Sequence, residues 1–353
     1  MTTSQLNADS APAPAPGRAA KALRILAIAA CAPYLSLKVS WILGGRTGIP
    51  EGSALLDHPT TMVIANTATV LMDACVIVLA LLLTQAWGLR VRAWLLVLPM
   101  WAATGLLVPI MAGFPVQLLI QLLGGSVRTQ SADEPFLDSW VFSVVYGGFI
   151  LQGLALGGLF VGYARRRWGH VWRGRLAELT PGRKGAAVAA AVFAVLPVST
   201  HLMWAFGATT GLSTAMVDDR AGDFHALEAL NALYPLAAVT GALLLAFRLA
   251  PGLGLRLPLA LVWVGSAATA CWGGWLLLAA LTTADTSEGP TALMLLTYAG
   301  SVITGVLVLL TGAHHARRRM PRTAVRDGAP AVRDGAPETP APSKAPAHTG
   351  SAL

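Results

Sequence analysis

At 353 residues, with 55% hydrophobic and only 12% charged side chains and a mean hydropathy of +0.62, the chain is too apolar to be a soluble globular protein. A formal net charge of +8 invites a nucleic-acid partner, but the basic residues segregate by loop, as membrane topology requires, which argues against one. Three cysteines, Cys31, Cys75 and Cys271, all lie in apolar stretches without C-x-x-C spacing, so neither a disulfide framework nor a zinc site is expected.

Residues 1–21 open the chain with Ala11-Pro12-Ala13-Pro14-Ala15-Pro16, a composition that cannot bury a core and predicts a disordered cytoplasmic tail. Eight apolar runs follow, each long enough to cross ~30 Å of hydrocarbon. They fall near Leu23–Leu43, Thr61–Trp87, Ala93–Met111, Trp140–Tyr163, Ala186–Phe206, Ala226–Phe247, Leu257–Leu281 and Thr291–Gly312. Arg18, Lys21 and Arg24 precede the first run, which has no small-residue cleavage site and reads as an uncleaved helix. With the N-terminus inside, the inner flanks collect 18 Lys and Arg and the outer flanks only Arg46, Arg128 and Arg220. Both termini are therefore predicted to be cytoplasmic in a multi-pass plasma-membrane protein, with the inner arginines facing anionic lipid headgroups. The outer side carries 11 of the 17 acidic residues, Glu228 counted among them.

The chain repeats itself. Trp41-Ile42-Leu43-Gly44-Gly45-Arg46-Thr47-Gly48 returns as Trp204-Ala205-Phe206-Gly207-Ala208-Thr209-Thr210-Gly211, displaced by 163 residues. Tyr146, Gly148, Gly153 and Ala164-Arg165-Arg166-Arg167 return as Tyr298, Gly300, Gly305 and Ala316-Arg317-Arg318-Arg319, displaced by 152. The fold expected is an all-α, polytopic bundle of eight spans built from two parallel four-helix repeats, residues 22–167 and 186–319. The shrinking displacement places an insertion in the first copy, at Gly113–Gly125, with Gln117 and Gln121 on one helical face. A lid on the outer surface, a re-entrant piece and a plain extension of the third span all fit it. Between the repeats, residues 168–185 form a basic cytoplasmic linker with Trp168 and Trp172, an interfacial segment or a plain connection. Beyond the last span, residues 320–353 form a disordered Ala/Pro-rich cytoplasmic tail in which Ala324–Pro330 recurs as Ala331–Pro337.

Lys38 and Asp73 are the ionisable side chains placed inside the hydrocarbon, where a charge costs ~2.5 kcal/mol or more and marks a functional site by default. Lys38 lies ~9 Å from the end of its span at Gly44, and Asp73 lies ~18 Å below Thr61. An ion pair is open, as is a snorkelling lysine above a hydrogen-bonded aspartate. The second copy places His201 at the position of Lys38 and Ala238 opposite Asp73, which favours one site over two equivalent ones. The repeated W-x-x-G-(G/A)-x-T-G element either ends a helix or offers backbone groups near Thr47 and Thr210 to a ligand. His58 with Asp57, and His225 with Asp223, stand at the outer mouths of the second and sixth spans, followed by Asn66 and Asn231. These are weak metal or proton-carrier candidates, since neither cluster has two-histidine spacing.

No H-E-x-x-H, G-x-S-x-G or Walker loop occurs. With Trp41–Gly48, Tyr146-Gly147-Gly148-Phe149-Ile150-Leu151-Gln152-Gly153 and the Ala-Arg-Arg-Arg ends in view, the chain resembles the eight-span integral membrane proteins of high-GC actinobacteria, a group with no assigned activity. The resemblance implies the eight-span fold and transfers no cofactor or catalytic residue. The reading is a non-enzymatic protein, without a cofactor, that binds or moves a small solute or ion. The alternatives are an accessory or scaffold subunit of a membrane complex and an outer-face enzyme acting on lipid or envelope precursors.

Overall fold

In hydrocarbon the backbone must satisfy its own hydrogen bonds, so apolar runs of this length have one solution, the helix. The computed structural model describes residues 17–53, 55–57, 59–127, 137–179, 184–218, 220–282 and 289–319. Its helices are α1 (Arg18–Ile42), α2 (Pro59–Thr84), α3 (Ala93–Leu122), α4 (Ser139–Trp168), α5 (Gly185–Ala205), a short α6 (Thr214–Asp218) and α7 (Phe224–Phe247). They continue with α8 (Arg256–Ala267), a π-helical turn (Ala268–Trp272), α9 (Gly273–Thr282) and α10 (Ala292–Arg319). α8, the π turn and α9 form one continuous span. Among the described residues eight helical segments are thus long and apolar enough to cross a membrane, and the chain is an all-α, multi-pass integral membrane protein. Among the described residues no β-strand occurs beyond one isolated bridge between Arg175 and Gly254. The tails expected at 1–21 and 320–353 lie almost wholly outside the described residues.

Three helix pairings recur in the two halves, although α7 packs far more closely on α8 than α2 does on α3. α1 packs on α2 and α4, with α3 against α4; α5 packs on α7 and α10, with α8 against α10. The halves meet where α3 lies on α8 and the π turn. Small residues permit that approach. A Cβ on Gly105 of α3 would collide with the Ala267 carbonyl, and one on Gly305 of α10 would meet Ser266 and Ala270 from the other side. Across the seam the Trp101 indole donates to Ser266 Oγ at 2.9 Å, and the Trp263 indole donates to Thr104 Oγ1 at 3.2 Å. The two bonds are reciprocal. Trp101 and Thr104 stand 162 residues before Trp263 and Ser266, a third repeated pair that the sequence reading missed.

The insertion Gly113–Gly125 continues the third span. α3 runs unbroken for 30 residues, ~45 Å, through Pro99, Pro109 and Pro115. Its extension leans on the second half, where Gln117 Nε2 donates to Asp223 Oδ2 at 2.6 Å and Ser126 Oγ accepts from the Gly222 amide at 3.0 Å. A helical extension, rather than a lid or re-entrant loop, is what the chain forms there.

The linker is tied down. Leu176 and Ala177 amides donate to Leu253 and Pro251 carbonyls, and the Leu255 amide donates to Gly174, which clips the linker to the α7–α8 connection. Leu176 and Leu255 are fully buried by this clip. At the end of α4, Arg167 donates to Tyr163 Oη (2.5 Å) and to the Val91 carbonyl (2.7 Å), while Tyr163 itself donates to the Gly88 carbonyl (2.9 Å). A helix end leaves carbonyls without partners, and this arginine and tyrosine supply donors to the α2–α3 connection. Arg167 therefore has a structural task beyond facing headgroups.

Candidate functional site

Lys38 projects from α1 toward α2 and is 6% exposed. Its ammonium donates to Asn66 Oδ1 at 3.1 Å and to Thr69 Oγ1 at 2.5 Å, and sits 4.4 Å from the centre of the Tyr34 ring. An amide oxygen, a hydroxyl and an aromatic face replace the hydration shell of the cation. The lysine does not snorkel. Asn66, Thr69 and Asp73 recur every three or four residues and so share one stripe of α2. Asp73 lies one turn, ~6 Å, deeper than Thr69.

Asp73 is 4% exposed. Its Oδ1 accepts from Gln152 Nε2 of α4 at a long 3.5 Å, and its Oδ2 has no hydrogen-bond partner. No ion pair joins Asp73 to Lys38, whose partners are Asn66 and Thr69. Both side chains are nonetheless buried where α1, α2 and α4 pack together. Tyr34, Lys38, Asn66, Thr69, Asp73 and Gln152 thus form a polar track enclosed by α1, α2 and α4. Gln152 went unremarked in the sequence as a site residue, although a glutamine among glycines in the repeated Tyr-x-Gly-x-x-x-x-Gly stretch was a signal.

The second bundle holds a different cluster. His201, at the position of Lys38, is 3% exposed, and its Nδ1 lies 2.5 Å from Glu228 Oε2 of α7. Trp204 meets the imidazole edge-on and Tyr298 stacks on it, with ring centres 5.5 and 6.4 Å away. Glu228, counted from sequence as an outer-side acid, is buried inside the bundle. One turn past the mouth of the span is already interior, because α7 packs tightly on both α5 and α10. No hydrogen bond or ring contact links His201 to Lys38 or Asp73. The structure leaves these three candidates in two separate bundles.

The repeated Trp–Gly element has one geometry twice. Gly44 and Gly207 adopt φ of 88° and 96°, and Gly45 and Ala208 amides donate back to Ser40 and Met203 carbonyls. This double-bonded helix end needs a left-handed residue, which glycine adopts without steric cost. The Trp41 and Trp204 indoles then donate to the carbonyls of Thr47 and Thr210, at 2.8 and 3.0 Å. Those backbone acceptors are engaged by tryptophan, and both threonine side chains are exposed. The element is a helix stop.

Comparison of the chain with protein families, curated proteins and solved structures finds no match.

Among the described residues the histidine–aspartate candidates are not brought together. Asp223 is 1% exposed and engaged by Gln117, whereas exposed His225 points its Nδ1 at the Trp204 carbonyl, 3.4 Å away. Asp57 is exposed, and His58 lies outside the described residues. Among the described residues no group of three or more His, Cys, Asp or Glu is placed to hold a metal ion.

Proposed function

We propose that this integral membrane protein binds or translocates a small solute or ion through the polar track of its first bundle, with Asp73 as the contacting group. The observation that carries the reading is the buried Asp73 Oδ2 without a donor, beside a lysine whose own hydrogen bonds are made elsewhere. A buried carboxylate oxygen left unpaired is expensive, and a proton, a small cation or a solute N–H satisfies it. The absence of catalytic motifs keeps the enzyme reading behind. Thr47 and Thr210 fall out of the site.

The two halves read as parallel repeats arranged around the α3–α8 seam. The like pairing of helices in each half, the twin helix stops and the reciprocal Trp101–Ser266 and Trp263–Thr104 bonds all support a pseudo-twofold axis along the membrane normal. The sided distribution of arginine supports a plasma-membrane protein with cytoplasmic termini.

The test is charge movement on a supported membrane carrying proteoliposomes, with rapid jumps of H⁺, Na⁺, K⁺ and a panel of amino acids. The expected result is a transient current with at least one of these species that disappears in Asp73→Asn. A current equal in wild type and variant removes Asp73 from the site. Silence to every species puts the accessory-subunit reading in front.

A further inference from the structure

The arginine-rich end of the second bundle holds a cleft of about 290 Å³, bounded by α5, α7, α10 and the turn Leu176–Glu178. That volume is at the lower edge of small-ligand sites, ~300 Å³ and above. The cleft lies on the opposite side of the fold from the helix stop at Trp204 and shares no residue with the polar track. It owes nothing to the reading of Asp73.

Its walls divide by chemistry. Leu245 and Ala246 of α7 and Leu310 of α10 supply an apolar side, and Leu310 is 54% exposed toward the surrounding lipid. His314, His315, Arg318 and Arg319 line the other side, one turn of α10 apart, with Glu178 as the acidic residue among the lining. Both histidine Nε2 atoms are buried and make no hydrogen bond. Buried polar atoms are normally satisfied, so two adjacent unsatisfied Nε2 atoms beside the cleft call for a partner, even though the His315 ring also meets the Val171 backbone. Arg319 is anchored by donating to the Arg173 carbonyl at 2.6 Å, which fixes the far edge of the cleft.

Depth in the bilayer narrows the ligand. From Ala292, ~20 residues at 1.5 Å each consume ~30 Å of hydrocarbon, which brings the helix to about Gly312. His314 to Arg319 therefore stand at headgroup level, where an apolar wall runs down beside a basic one. Guanidinium and imidazole donors converge on oxyanions, and a tetrahedral phosphate accepts from several directions at once.

We propose that this cleft is a binding site for a phosphate-bearing anion, held by His314, His315 and Arg318. The phosphate comes from a membrane lipid headgroup, with acyl chains along Leu245 and Leu310, or from a phosphorylated solute.

The experiment is thermal unfolding of the purified full-length protein in a neutral maltoside detergent. It is titrated separately with inorganic phosphate, with short-chain phosphatidylglycerol and with phosphate-free diacylglycerol of the same chain length. A rise in Tm with inorganic phosphate and phosphatidylglycerol alike establishes the site for phosphate from either source. A rise with phosphatidylglycerol alone assigns it to lipid, and a rise with inorganic phosphate alone assigns it to a soluble ligand. In each supporting case the double variant His314→Asn/Arg318→Gln loses about tenfold or more in apparent affinity. Should that variant fail to fold, Arg318→Lys takes its place, keeping the charge and removing the fork, and a weakened response still supports the site. No rise with either phosphate compound, an equal rise with diacylglycerol, or an undiminished response in the variants overturns the proposal.

Discussion

Lys38 is the residue whose replacement separates the two accounts of the polar interior most cleanly. In the structure its ammonium bonds Asn66 Oδ1 and Thr69 Oγ1 and makes no ion pair with Asp73. Lys38→Met keeps the stem and removes the donors. Thr69 still donates to the Ala65 and Asn66 carbonyls, so its hydroxyl stays satisfied. Asn66 keeps its donor bond to Met62, but its Oδ1 is left buried without a partner, at a cost of ~1–3 kcal/mol. Asn66→Leu alone strands the ammonium on one hydroxyl and costs more, because a buried charge loses a charge-assisted bond. The double variant Lys38→Met/Asn66→Leu removes both partners and should recover at least ~1 kcal/mol relative to the sum of the singles. The parallel cycle with Asp73→Asn should show weaker coupling, since no bond joins those side chains. Unfolding is followed in mixed micelles by raising the fraction of denaturing detergent, with tryptophan emission as the readout. Coupling of Lys38 to Asp73 that equals or exceeds its coupling to Asn66 would refute this geometry.

Three further outcomes follow from the packing. Trp101→Phe and Trp263→Phe each remove one bond of a reciprocal pair across the seam, so each should cost ~1 kcal/mol and by nearly equal amounts in the same unfolding assay; a large inequality counts against the symmetric seam. Gly105→Val and Gly305→Val push a side chain into backbone at the π turn and should each cost ~1–3 kcal/mol or more, whereas Gly147→Val, where a Cβ meets nothing, should be close to neutral. Arg167→Ala strips donors from Tyr163 and Val91 and should expose the α2–α3 connection to limited proteolysis at Ala86–Arg90; an unchanged cleavage pattern shows that the connection holds without it.

The split between sequence and structure falls along a physical line. Hydropathy alone determined eight spans and their approximate ends, because a backbone in hydrocarbon has to be helical and each crossing needs ~20 apolar residues. It also singled out Lys38 and Asp73 as buried charges, since both fall deep in apolar runs, whereas Glu228, near the mouth of its run, was counted outside. The repeated Trp–Gly stops were legible for the same kind of local reason: a left-handed helix end is written in glycine. Which side chain meets which was decided only by tertiary packing. Lipid is as apolar as the protein interior, so a membrane helix carries little periodic signal telling which face turns inward. Lys38 could not be assigned to Asn66 rather than Asp73, nor Glu228 to His201, until the rotation of α1 against α2 and of α5 against α7 was known.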